Sequence, residues 1–288
     1  MKITIVIIGF GNYGRCILER AVLTNVIAAG QHTAYHIFGD AGEFLSMHTQ
    51  LHQTFSIGET SDTTDSLIFY EELWETQHEV LQKADRIIIC PDDEPQGWSI
   101  FWRLNKYYKI HGQVHLHSNR KAPGVSYFGT NEEIYTPNQI MRTALNQAAI
   151  TINEIFRRSV SYPTLSWEDL DDFHRESKIS AADHLLMKIR ILLKDETITE
   201  FTADTVERAY RIYCETKKDE SILDMYRRLD HLRWLRFYTF YNWSYGAFRD
   251  DGARQHPMLC PYQELTPEQK KERDAAWELL GSITVELK

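Results

Sequence analysis

Two stretches of this 288-residue chain combine residue types and spacings suited to binding chemistry. The first is Gly9-Phe10-Gly11-Asn12-Tyr13-Gly14, directly after the β-branched run Lys2–Ile8. In such a loop the first glycine makes a tight turn and the second lets backbone approach a pyrophosphate. The third lets a helix pack closely on the strand, and that helix presents a partly positive N-terminus. A strand before the loop and a helix over residues 13–23 are both readable, so the motif points to a dinucleotide phosphate site. Its candidate contacts are Gly9, Gly11, Asn12, Tyr13 and Gly14. Asp40, just past the second strand, is the candidate acid for a ribose hydroxyl, with Glu43 as a substitute. Gly39 intervenes before that acid, and residues 28–33 lengthen the connection. Cys90-Pro91-Asp92-Asp93 falls at the carboxyl end of the fourth strand, the edge where open α/β sheets bind ligands. Asp92 is therefore a candidate contact, whereas a solvated turn is favoured for Asp93. The alternative for the whole loop is a shape kept without a nucleotide.

The second stretch is residues 226–262, where ten of 37 residues are aromatic, about 27% against 12% for the chain. Its core reads Leu229-Asp230-His231-Leu232-Arg233-Trp234, then Asn242-Trp243-Ser244-Tyr245-Gly246. On a helix His231, Trp234 and Tyr238 share one face. Gly246 is expected to end that pattern and open a loop with Arg249, Asp250 and Asp251. His256-Pro257 and Pro261-Tyr262 punctuate a return. Rings interleaved with arginine can stack on a base or enclose a cation while guanidinium forks bind phosphate. The alternative is the core of a small helical module, with His231 a structural histidine. Trp234 and Trp243, beside charged or polar neighbours, fit that alternative least.

The elements that position these residues change character along the chain. Short apolar runs at residues 36–38, 86–90, 114–117 and 125–128 alternate with helical patterns at 13–23, 67–83 and 96–108. That alternation predicts βαβ units and a parallel sheet covered on both faces. After Thr136-Pro137 a helix is expected over 139–158, with Ile140, Ala144, Ala148, Ile152 and Ile155 on one face. Ser166 and Ser180, each followed by an acid three residues on, read as helix N-caps. The expected architecture is a Rossmann-like α/β domain over 1–135, a helical connector over 136–218 and a mainly α-helical domain over 219–288.

At 43% hydrophobic and 25% charged, the chain has a globular balance. Its longest uncharged apolar run, residues 3–10, is too short to span a bilayer, and Met1-Lys2 leads straight into a strand. The expectation is a cytoplasmic protein without membrane insertion. Cys16, Cys90, Cys214 and Cys260 form no CxxC pair, as expected of reduced thiols. Asn242-Trp243-Ser244 fits a glycosylation pattern, taken as chance in a protein that is not secreted. A net charge of −9 argues against binding a nucleic-acid polymer. Residues 226–254 carry six arginines against three aspartates, which suits a small anionic ligand better. His111, His115 and His117 lack a cysteine or carboxylate at ligand spacing, so no metal is expected there.

Residues 1–130 resemble the TrkA-N family, the Rossmann-type module of potassium-uptake regulators. The resemblance rests on IVIIGFGNYGR, on Ala84-Asp85-Arg86-Ile87-Ile88-Ile89 and on Tyr127-Phe128-Gly129. It implies NAD or another adenine nucleotide as a regulatory ligand. From about Leu229 to Leu280 the text HLRW…NWSYG…RDD…HPMLCPYQELTPEQKKERD resembles the RyR domain, the module named after ryanodine receptors. That likeness implies recognition of a small, nucleotide-like ligand. Asp230 stands where the family often has Glu. The carried-over pocket is His231, Arg233, Trp234, Trp243, Tyr245, His256 and Tyr262, with Lys188. Ser177, Ser180, Asp183, His184 and Lys188 lie in a segment similar to the connector joining such modules in bacterial proteins; this Ser/His/Lys group could hold phosphate near the pocket, while capping and helix packing explain it equally well.

With two binding motifs and no legible catalytic set, the leading expectation is a ligand-sensing regulator. Its two sites would shift a two-state equilibrium through differential affinity. Rival readings are an NAD-dependent oxidoreductase or nucleotide hydrolase using His231 or His184, and a cytosolic regulatory subunit of an ion transporter. A homo-oligomer, namely a dimer, is expected, since TrkA-N relatives pair through their Rossmann faces. Signalling in antiviral defence enters by analogy alone.

Overall fold

The computed structural model describes residues 2–27, 30, 32–134, 146–159, 164–195, 197–198 and 202–286. These form two compact units. One comprises 1–21 with 30–137; the other comprises 22–29 with 138–288.

The first unit is a parallel sheet of seven strands among the described residues. In chain order these are β1 (Lys2–Ile8), β2 (His32–Phe38), β3 (Ser56–Ile57), β4 (Ser66–Tyr70), β5 (Arg86–Ile89), β6 (Gln113–His117) and β7 (Ser126–Phe128). Their spatial order is β3-β4-β2-β1-β5-β6-β7. The helices are α1 (Asn12–Thr24), α2 (Gly42–Met47), α3 (His78–Lys83), α4 (Glu94–Tyr107) and α5 (Asn131–Ile134). Lys-Ile-Thr-Ile-Val-Ile-Ile forms the central strand because β-branched side chains fit a pleated surface buried on both faces. Val6, Ile8, Leu81, Ile87, Ile89, Leu104 and Leu116 pack into one core.

Two sequence expectations need correcting here. Residues 67–83 are not one helix: β4 occupies Ser66–Tyr70, a 3-10 turn spans Trp74–Thr76, and only His78–Lys83 is α-helical. Leu67, Ile68 and Phe69 are a short apolar run, which periodicity alone cannot separate from a buried helix, and pairing with β2 decides it. The strand that leads into Cys90, ending at Ile89, is accordingly the fifth, not the fourth.

Gly9 sits where β1 turns into α1, at φ +101°. A β-carbon there would come within 2.5 Å of the Pro91 nitrogen. Gly9→Ala is expected to lower the urea-unfolding free energy by about 1–3 kcal/mol, the scale of left-handed strain. A change below about 0.5 kcal/mol would show that the turn relaxes.

The second unit is mainly helical: α6 (Gln147–Ser159), α7 (Asp172–Leu193), α8 (Ala203–Thr216), α9 (Glu220–Phe240), α10 (Pro267–Glu272) and α11 (Ala275–Glu286). A two-stranded pair, β8 (Ser244–Tyr245) with β9 (Gln255–His256), interrupts them. The helix expected over 139–158 is described from Gln147; Ile140 and Ala144, like the Thr136-Pro137 boundary, lie outside the described residues. Leu185, Ile189, Ala209, Tyr213, Trp277 and Leu280 form the main core. Trp277 is fully buried and donates its indole N–H to the Tyr226 carbonyl at 2.9 Å.

Neither serine caps a helix. Asp171 caps α7 by accepting the His174 amide at 2.8 Å. Ser166 closes a separate turn, its hydroxyl on Asp169 at 2.6 Å. Ser180 lies buried inside α7. The cap falls nine residues before Ser180, because Asp171 offers the same capping oxygen ahead of a continuous helical pattern. No helix among the described residues is long and apolar enough to cross a membrane.

Candidate functional site

The sheet order places β5 beside β1, while β2 lies on the other side of β1. The loops leaving the carboxyl ends of β1 and β5 are therefore neighbours at a switch point. Gly9, Gly11, Asn12, Tyr13 and Gly14 form the first loop and the opening turn of α1; Asp92 sits in the second. Asp92 Oδ2 accepts the Asn12 amide at 3.3 Å, and Oδ1 accepts the Tyr13 amide at 3.5 Å. Asp93 caps α4 by accepting the Gln96 amide at 3.1 Å. Asp40 follows β2 and accepts the Gly42 amide at 2.9 Å, while Glu43 pairs with Arg15. The Tyr13 ring lies against His117, tilted by 34° with centroids 3.9 Å apart. His115 instead contacts the Ser126 hydroxyl at 2.9 Å.

A second site is built inside the helical unit. Ser180, His184 and Lys188 recur every four residues on α7, so they form one stripe. All three are at most 3% exposed. Opposite them α9 brings Asp230 and Arg233, at 2% and 7% exposure. Asp230 Oδ1 is 3.4 Å from both Lys188 Nζ and Arg233 Nε, so two buried cations share one carboxylate. Lys188 also donates to the Ala276 carbonyl at 2.7 Å. His184 Nε2 donates to the Val26 carbonyl at 3.0 Å, which fixes the proton on that nitrogen. Three polar atoms here are buried without a hydrogen-bond partner: Ser180 Oγ, His184 Nδ1 and Arg273 Nε. Buried polar groups are almost always satisfied by protein or by ordered water, so these three atoms keep capacity for a further partner.

The electrostatics agree. Burial pushes the Lys188 ammonium down to about 8 against the pull of Asp230. Burial would raise the Asp230 carboxyl, but Lys188, Arg233, Arg273 and His184 outweigh it and hold it well below the usual carboxylate range. Burial, then Lys188 and Arg233, push His184 down to about 3, so it is neutral. Burial and Arg233 push Lys178 down to about 8. The cluster is a buried site biased to positive charge.

The aromatic residues of the second stretch pack mostly on one another, with Arg273 as the link between Trp234 and the cluster. Trp234 lies against Tyr238 at 4.3 Å and His256 at 5.0 Å, with the Arg273 guanidinium 5.1 Å over its ring. Trp243 is buried and stacks on Phe173 at 5.3 Å. His231 donates from Nε2 to the Cys260 carbonyl at 2.8 Å, and its Nδ1 is buried without a partner. His256 accepts the Met258 amide at 3.1 Å, and burial pushes its imidazolium down to about 4. Tyr245, 58% exposed, is the outlier. Gly246 does not end the helix; α9 stops at Phe240, before Trp243 turns back onto Phe173.

Tyr262 donates to Asp224 at 2.6 Å, and Arg228 and Lys270 each lie 5.1 Å from the centre of its ring. Tyr262→Phe is expected to cost about 1.5–3 kcal/mol in urea unfolding, as for a hydrogen bond to a charged group. An unchanged midpoint would show that Arg228 alone satisfies Asp224.

Arg273 was missed in the sequence. It sits in the charged run Lys270-Lys271-Glu272-Arg273, where spacing gives no sign that one member turns inward. Its side chain is only 12% exposed, whereas that of the adjacent Glu272 is 60% exposed.

Residues 215–285 match the RyR domain family. The match takes in Asp230, Arg233, Trp234 and Arg273; Ser180, His184 and Lys188 precede it. No curated protein matches the chain.

Proposed function

We propose that this protein is a ligand-sensing regulator whose RyR-containing helical unit binds a small phosphorylated, nucleotide-like ligand. The observation that carries this reading is the buried cluster in which Lys188 and Arg233 share Asp230 while Ser180, His184 and Arg273 keep unpartnered polar atoms. A phosphoryl group would supply the missing negative charge and acceptors for Arg273 Nε and the Ser180 hydroxyl, while His184 Nδ1, itself an acceptor, would take a hydroxyl donor of the ligand. Arginine offers it a fork and lysine a point charge. Trp234, with Arg273 already over its face, gives a neighbouring wall for a base. In the sheet unit, the glycine loop at the switch point is proposed to hold NAD or another adenine nucleotide, with Asp40 at the ribose. This assignment rests on the motif, its place between β1 and β5, and the TrkA-N resemblance.

Calorimetry with inorganic phosphate, AMP, ADP, NAD and cyclic dinucleotides tests the reading. At least one phosphorylated compound is expected to bind, and Arg233→Gln is expected to weaken it by about 10–100-fold, the scale of a lost charge-assisted contact. No binding by any compound, or equal binding by the variant, would contradict it.

A further inference from the structure

The donors that a phosphate would use at the glycine loop already have an anion. Asp92 Oδ2 lies 3.3 Å from the Asn12 amide and 3.5 Å from Asn12 Nδ2, and Oδ1 lies 3.5 Å from the Tyr13 amide. These amides open the thirteen-residue helix α1, whose N-terminus favours negative charge. Gly11 completes the overlap: a β-carbon there would collide with the Asp92 carboxylate itself. The space that lets backbone approach a pyrophosphate is thus the space this side chain fills.

We propose that Asp92 is a built-in gate on the glycine loop: its carboxylate takes the place of a phosphate and must swing out before a nucleotide can bind. The proposal rests on the reading of this loop as a nucleotide site. Two features suit a gate better than a permanent brace. The contacts are long, at the weak end of hydrogen bonding, so releasing them costs little. Asp92 is also solvent-exposed, so its carboxylate can rotate into water while Asp93 keeps α4 capped. Carboxylate and phosphate cannot share the turn, because both are anions competing for the same few donors. The apparent affinity of the loop is then reduced by the fraction of molecules with Asp92 swung in.

The test is calorimetric titration of the full chain with pyrophosphate, ADP and NAD, using wild type, Asp92→Ala, Asp92→Asn and the double variant Gly11→Ala/Asp92→Ala. Thermal unfolding confirms that each variant is folded. Both single variants are expected to bind at least one probe about tenfold or more tightly than wild type. The double variant is expected to lose that gain, because the added methyl refills the vacated space. Equal binding by wild type and both single variants would overturn the gate; the same titration in an Arg233→Gln background, which disables the site proposed in the helical unit, then shows whether the loop itself binds, and binding kept there leaves the nucleotide reading standing. Absence of binding in every protein would overturn the loop as a nucleotide site, and the gate with it. A gain that survives in the double variant would place the ligand elsewhere and overturn the gate.

Discussion

Replacing Asp230 by alanine is expected to lower the unfolding free energy by about 3–5 kcal/mol, the cost of leaving buried charge unpaired. The carboxylate is 2% exposed and is the shared partner of Lys188 Nζ and Arg233 Nε, each at 3.4 Å. Without it, two cations face each other inside α7 and α9. Urea unfolding followed by far-UV circular dichroism measures the loss. The account adds a second expectation: saturating inorganic phosphate restores part of the lost stability, because an anion that binds only the folded state stabilises it by mass action. A loss below about 1 kcal/mol would mean that Lys188 sheds its proton and the cluster is not a charged site.

The second large effect is a dependence on acid. His184 is fully buried, with its ionisation pushed down to about 3, while an unfolded histidine titrates near 6.5. Between those values the unfolded chain binds a proton that the folded chain refuses. Stability therefore falls as pH falls, by about 1.4 kcal/mol per pH unit for this one group. From pH 6.5 to pH 4 that is a loss of about 3 kcal/mol. The half-buried His256 adds a smaller loss in the same direction, because burial depresses it to about 4. His184→Gln keeps a donor for the Val26 carbonyl and removes the titrating group. The prediction is a shallower decline of urea-unfolding free energy between pH 6.5 and 4 in the variant. Parallel declines in wild type and variant would show that His184 takes up its proton while folded.

Much of the sheet unit was legible because its signals are local. The β-branched run Lys2–Ile8 followed at once by glycines fixed both a strand and the turn after it. What was not legible depends on which strands become neighbours. Asp92 meets α1 only because β5 pairs with β1, across eighty residues of chain. The strand Ser66–Tyr70 was lost for a similar reason: its apolar run suits either element, and its partner β2 decides.

The helical unit shows the same division. The face shared by His231, Trp234 and Tyr238 followed from helical spacing, and their rings do meet. The pairing of Lys188 with Asp230, 42 residues apart, left no mark in either segment. Ser180 was misread because a serine followed by an acid looks the same at a helix start as inside a helix. The aromatic density near the chain's end was visible, and a packed core was one reading of it; Trp243, which fits that reading least by its polar neighbours, is buried all the same because it packs on Phe173, seventy residues away in the chain.

The central claim is that the buried cluster on α7 and α9 receives a phosphoryl group. A crystal structure of the full chain grown with the tightest-binding nucleotide tests it most directly. The account predicts phosphate density within hydrogen-bond reach of the Arg233 guanidinium, Lys188 Nζ and Ser180 Oγ. A nucleotide lodged elsewhere, with Lys188 and Arg233 still closed on Asp230 and Ser180 still unpartnered, would contradict it.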